Sequence, residues 1–212
     1  MASSKCLVSL LAAVLVTCAL LACSTTRISS SWKDPSYQGP PRKVMVIGMA
    51  KESTNRRVFE DAFVTLIKAR GSDAVASYTL LPGKLTEDHD AIVAAMKNQG
   101  ADTVLITRLL RVETETSYMP GSLDPMPVGY RGWSYHYRSS YDFMYTPGYL
   151  MEEEYAIVET SLYDVAFDKL IWSAKSKTTI KGTDHELIRS VIQALTDQMT
   201  RQQVLRPAAA TN

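Results

Sequence analysis

Cysteine, histidine and net charge are all scarce in this 212-residue chain. The three cysteines stand at positions 6, 18 and 23, and no thiol follows Cys23. A disulfide, a thiolate nucleophile and a cysteine-based metal site are therefore excluded from everything downstream. The three histidines, His89, His136 and His185, are scattered, and none has a second histidine four residues away to share a helix face. With 23 basic and 22 acidic residues the formal net charge is +1, which gives no electrostatic footprint for nucleic acid. Gly-rich phosphate cradles are missing too: Gly48 is followed by neither the spacing nor the lysine of a phosphate loop, and Gly129-x-x-Gly132 is no dinucleotide fingerprint. The apolar run from Cys6 to Ala22 has 17 residues, short of the roughly 20 that a spanning helix needs.

What is present at the N-terminus is an address. Lys5, the apolar run and the small residues that end it compose a secretory signal. Leu20-Leu21-Ala22-Cys23 resembles the bacterial lipobox. That resemblance implies a signal peptide over 1–22, cleavage before Cys23, and lipid on both the thiol and the new amine of that residue. Each buried CH₂ contributes about 0.8 kcal/mol, so several acyl chains on one residue anchor a protein that one chain would hold only marginally. Ser24 stands where an aspartate would retain such a protein in the inner membrane, so the expected location is the outer membrane, facing the periplasm. Loss of the signal removes Lys5 alone among charged residues and leaves the two signs balanced at 22 each. The remaining length suits one domain.

Residues 23–42 contain "STTRISSSWKDPSYQGPPR", without apolar periodicity, and read as the lipidated cysteine and a flexible tether. Fully extended, such a tether reaches about 60 Å at ~3.3 Å per residue, with Trp32 expected to pack back on the domain. The single domain is expected over 43–205. Val44 to Met49 has strand length. Phe59, Ala62, Phe63, Leu66 and Ile67 then form one helix face, with Thr54 or Asn55 as its cap and Gly71 as its stop. "DAVASYTLLP" is a strand, Asp88 to Gln99 a helix, and "DTVLITRLLRVETETSY" a long strand. "EYAIVETSLYDVAFDKLIWSAKSKTTI" alternates with period two on either side of a short connection, predicting a hairpin. Thr183 and Glu186 form a capping box before a helix whose stripe is Ile188, Val191, Ile192, Leu195 and Met199. Residues 206–212 are a tail. The expected fold class is α/β, a mixed β-sheet in the order β-α-β-α-β-β-β-α with helices packed on it and an aromatic-rich insertion at 119–150.

The lipobox, "SWKDPSY", "VMVIGMAKESTNRRVFEDAFVTLIKARG" and "LYDVAFDKLIWSAKSKT" together resemble a group of bacterial envelope lipoproteins of unknown function, over most of residues 20–205. The order of elements is similar to the TolB amino-terminal domain and to lipoproteins that activate penicillin-binding proteins. The resemblance implies a fold and an envelope setting, and brings no catalytic residues with it.

No catalytic constellation emerges from the residues themselves. Asp88-His89-Asp90 points its side chains in different directions on a helix, and Glu152-Glu153-Glu154 reads as a solvated strand entry. Glu113 and Glu115 share one face of an exposed strand. Asn55-Arg56-Arg57 at a helix start offers an anion site, or else an ion pair with Glu52 or Glu60. No catalytic, metal or cofactor site is expected. The function expected is a non-catalytic binding or scaffold module facing an envelope protein or peptidoglycan, with a cell-wall hydrolase as the alternative.

The insertion supplies the candidate partner surface. Of 18 aromatic residues in the chain, eight lie between Gly129 and Tyr149, among them Trp133, Tyr135, Tyr137, Tyr141 and Tyr145. Disordered segments are poor in aromatics, and tyrosine offers large contact area at small rotamer cost. The segment is therefore expected either to cover the domain or to bind a partner. Trp133, Tyr135 and Tyr137 alternate as a strand would.

Overall fold

The computed structural model describes residues 25–81, 89–120, 132–135, 137–138 and 148–208. Six strands form one sheet: β1 (Thr26–Lys33), β2 (Lys43–Met49), β3 (Asp73–Ala76), β4 (Thr103–Met119), β5 (Tyr149–Asp164) and β6 (Lys169–Thr179). Their order across the sheet is β1-β6-β5-β4-β2-β3. The α-helices α1 (Ser53–Ala69), α2 (His89–Gln99) and α3 (Asp184–Arg201) accompany them, with a 3-10 turn at Ser77–Thr79 and helical backbone at 132–135 and 137–138. From β2 onward this is the β-α-β-α-β-β-β-α order read from the sequence. β2 runs parallel to both β3 and β4, as crossovers through α1 and α2 require, and the other pairs are antiparallel.

Both faces of β2 are covered, so Val44, Met45, Val46 and Ile47 are all buried. One side of the sheet carries α1 and α3 over Val44, Val46, Leu105, Leu162 and Trp172. Phe59, Phe63 and Ile67 of α1 meet Ile192, Leu195 and Met199 of α3 there. Trp172 is completely buried, and its indole Nε1 donates to Gln202 Oε1 at 2.6 Å. On the other side α2 lays Met96 against Met45, Ile47 and Val104. Gly48 lets α1 approach closely, because a Cβ there would meet Phe59 at 3.0 Å.

Local signals explain most boundaries. Gly71 takes the left-handed conformation (φ +79°) that ends α1. The capping box at α3 is present: Thr183 Oγ1 accepts from Glu186 N while the Glu186 carboxylate accepts from Thr183 N. The β5–β6 connection is the short loop expected, with Asp164 Oδ1 accepting from the amides of Ala166 and Phe167.

Three expectations are corrected. Residues 26–33, read as part of a flexible tether, are strand β1, paired antiparallel with β6 from Thr26↔Thr178 to Lys33↔Trp172. The strand went unseen because Ile28, which packs against the core, stands among hydroxyl-bearing residues: Thr26 Oγ1 bonds Thr178 Oγ1 at 2.9 Å and Ser190 Oγ at 2.8 Å. The N-cap of α1 is Glu52, without a side-chain cap bond, rather than Thr54 or Asn55. Asn55 instead donates across to Asp184 Oδ2 of α3. "DAVASYTLLP" is a strand only to Ala76, where the chain turns so that Ser77 and Tyr78 reach Glu60 of α1.

Urea unfolding checks this assignment of weight. Trp172→Ala should lose about 3–5 kcal/mol, as large-to-small changes in a sealed core do, whereas Thr183→Ala should lose about 1 kcal/mol.

Candidate binding surface

The carboxyl ends of β2 and β3 close around the protein's own Glu60, which is fully buried. Glu60 Oε1 accepts from Gly48 N at 3.0 Å, Arg56 Nε at 2.9 Å and Ser77 Oγ at 2.8 Å, while Oε2 accepts from Tyr78 N at 2.9 Å. Arg56, also buried, donates further to Ser77 Oγ. Of the two readings for the Arg56-Arg57 start, the ion pair is the one formed. It lies in the interior rather than on the surface, and the carboxylate accepts what an anionic ligand would accept. Arg57 stands over the Tyr78 ring.

Carboxylates elsewhere pair with bases rather than with one another. Glu113 accepts from Arg111, Glu115 from Lys177, and Glu153 from Lys181 and Tyr155. Lys181, then Tyr155, hold the Glu153 carboxyl below its usual range. Among the described residues no group of three His, Cys, Asp or Glu side chains is placed to hold a metal. His185 is an exposed first-turn residue of α3, and His136 and Asp88 lie outside the described residues.

Among the described residues, two concavities lie beside β1. The first is a groove of about 530 Å³ between β1 and α3, lined by Arg27, Ser29, Ser31, Asp197, Gln198 and Arg201 among others. Its floor is the outer edge of β1, with which no described strand pairs, so backbone donors and acceptors face it. A bulge at Ser29 divides that edge. The second is a shallow hollow of about 120 Å³ on the sheet face that α2 does not reach, bordered by Trp32, Glu159, Ser173 and Lys175. Trp32 is about half exposed here, so it stands at the surface rather than packing inward. Arg108 grips Glu159 through Nε at 3.0 Å and Nη2 at 2.7 Å. No motif announces either hollow, since both depend on where β1 adds to the sheet.

The structure places the predicted site residues unevenly. Cys23, Tyr141 and Tyr145 lie outside the described residues. Trp133, Tyr135 and Tyr137 are at the surface, 84%, 42% and 65% exposed. Their strand-like alternation is overturned, because residues 132–135 and 137–138 are helical. Trp133 and Tyr137 are also four apart, and the backbone follows that spacing. None of the three borders the two hollows.

No protein-family model matches the chain, and no curated protein matches it in sequence. Solved structures similar to it include the PelC dodecamer from Paraburkholderia phytofirmans, at 13% identity over 80% of this chain and 96% of that one, with a TM-score of 0.42. Lipoprotein GNA1162 from Neisseria meningitidis is similar at 12% identity over 76% and 99%, with a TM-score of 0.40. A putative neuraminyllactose-binding hemagglutinin homolog from Helicobacter pylori gives 10% identity over 81% and 94%, with a TM-score of 0.34. The overlap is partial in each case.

Two measurements probe the electrostatics. Glu60→Ala strands a buried guanidinium and should lose about 3–5 kcal/mol in denaturant unfolding. Asp34, at the end of β1, is lowered from 3.8 to about 2 by Lys169 and then by Ser36. A depressed carboxyl stabilises the fold above its unfolded value and stops doing so as protonation proceeds. The Asp34 contribution should therefore be complete above pH 3.8 and vanish as the pH falls through about 2. Asp34→Asn should remove that part of the acid-unfolding profile and lower stability by a constant amount above pH 3.8.

Proposed function

We propose that this protein is a periplasmic lipoprotein held at the outer membrane through Cys23, whose α/β domain is a non-catalytic binding or scaffold module. The observation that carries the reading is the open edge of β1 beside the 530 Å³ groove. An extended segment of another envelope protein adds to such an edge through backbone hydrogen bonds, with side-chain pockets setting its specificity. Arg27 and Arg201 supply basic groups beside it, while Asp197 is held by Arg70. The bulge at Ser29 limits pairing to short stretches on either side, which blunts indiscriminate edge-to-edge association. A second reading within the same class, a peptidoglycan strand, is favoured by Trp32 beside Glu159, Ser173 and Lys175. An indole face with adjacent hydrogen-bonding groups suits a sugar ring.

A photo-crosslinking residue placed at Ser29, and separately at Trp32, in intact cells separates these ligands. A discrete protein adduct through Ser29 supports strand addition, and adducts to the sacculus through Trp32 support the glycan reading. Absence of both, together with release of soluble muropeptides from isolated sacculi by the purified protein, would overturn the binding module in favour of a cell-wall hydrolase.

A further inference from the structure

The outer edge of β1 carries a pattern of backbone groups that its bulge sets. In an antiparallel pair, facing residues alternate between exchanging two backbone bonds and exchanging none. Thr179 N donates to Thr25 O at 3.0 Å before the bulge, and Asp34 N donates to Ile171 O at 3.0 Å after it. Counting inward from those bonds, Thr26 and Ile28 on one side of Ser29, and Ser31 and Lys33 on the other, turn their N–H and C=O groups away from β6. The side chains follow the same count. Thr26 bonds Ser190 of α3, and Ser31 Oγ accepts from Gln198 of α3 at 2.9 Å, so Lys33, two positions past Ser31, also lies on the α3 side of the sheet. The stretches around this half of the edge, 29–42, 169–175 and 194–206, are all among the described residues.

Those two contacts also show that α3 runs alongside β1 in the same direction. Arg201 is one helical turn past Gln198, ~4.5 Å on, and Lys33 is two strand positions past Ser31, ~6.6 Å on. The two cations therefore flank the same end of the groove. Arg201 is exposed and donates Nε to Gln198 Oε1 at 3.0 Å. The carboxylates nearby are already held. Asp197 accepts from the buried Arg70 at 2.9 Å and from Gln193 at 3.0 Å. Asp34 pairs with Lys169 and accepts from Ser36, and Glu159 is gripped by Arg108. Among the described residues no carboxylate pairs with Lys33, Arg201 or Arg27. A chain balanced in total charge thus leaves one sign unmatched along one strand edge.

A strand laid in the groove strips water from Lys33 and Arg201. Unpaired cations are costly to desolvate, and a carboxylate on the incoming strand offsets that cost. A second copy of β1 would instead bring its own Arg27 and Lys33 to an edge that is already basic. A lipid phosphate has the right sign but no row of N–H and C=O groups to meet those of Thr26, Ile28, Ser31 and Lys33.

We propose that the segment added to β1 is acidic: an extended peptide with an aspartate or glutamate on its α3-facing side, level with Ser31 and Lys33 and held between Lys33 and Arg201. This rests on strand addition at β1 and names the chemistry of the strand that adds. Arg27, at the other end of the edge, favours the same sign.

The test uses the full chain, processed in cells and purified in non-ionic detergent, to select from a displayed library of short randomised peptides. Selected peptides should carry aspartate or glutamate at one position several-fold above the library. The best of them should lose about fivefold in affinity when that acid becomes glutamine, as one exposed ion pair is worth, and should lose the difference in high salt. Protein with Lys33→Glu and Arg201→Glu should select lysine or arginine there instead. Ser31→Pro removes an outward N–H without breaking a bond to β6, and should select nothing. Peptides without an acid preference, or with one that survives the charge reversal, overturn the acidic segment, and strand addition stands if Ser31→Pro still abolishes selection. Selection undiminished by Ser31→Pro, or no selection by the parent, overturns strand addition and this inference together. A dimer in sedimentation that Ser31→Pro dissociates would then name a second copy as the occupant. A thermal melt matching the parent confirms that each variant is folded.

Discussion

The pairing of β1 with β6 is the contact on which the rest of this molecule depends. It adds a sixth strand, and so creates the open edge and the groove against α3. It also fixes where the polypeptide emerges. Backbone bonds to β6, the Thr26–Thr178–Ser190 hydroxyl cluster and the Asp34–Lys169 ion pair hold the strand at both ends. With β1 unpaired, residues 24–42 would be the long leash that their composition suggests, and the groove against α3 would be absent.

Behind that edge the sheet is stiffened from two directions. Trp172 and the residues of α1 and α3 seal one face, and the buried Glu60 carboxylate ties β2, α1 and the turn after β3 into one unit. A buried charge pair costs desolvation, and it is tolerable here because each carboxylate oxygen has donors. The ends of β2 and β3 are thereby closed by protein, while the groove and the hollow described above lie beside β1.

Those peripheral surfaces share a physical style. The chain carries a formal net charge of only +1, and exposed aromatic or aliphatic groups stand among hydroxyls. Long-range electrostatic steering has little to act on in such a molecule. Backbone hydrogen bonds and ring faces act at close range.

The sequence by itself determined the parts governed by local chemistry. The three helix stripes, the capping box at Thr183, the stop at Gly71 and the β5–β6 hairpin were all legible, because each is set by residues a few positions apart. The mixed sheet in its order from β2 onward followed from those elements. β1 was not legible, since a run of serine and threonine reads as linker until Thr178 and Ser190 arrive from more than 150 residues away to bond it. Glu60 was legible as an ion-pair partner near Arg56, but its burial was not, because that depends on the ends of β2 and β3 closing around it. Lys33 and Arg201 likewise come together only because α3 runs alongside β1. Tertiary structure decided these matters because a strand edge, a buried charge and a shared groove are relations between distant segments, and no local pattern encodes them.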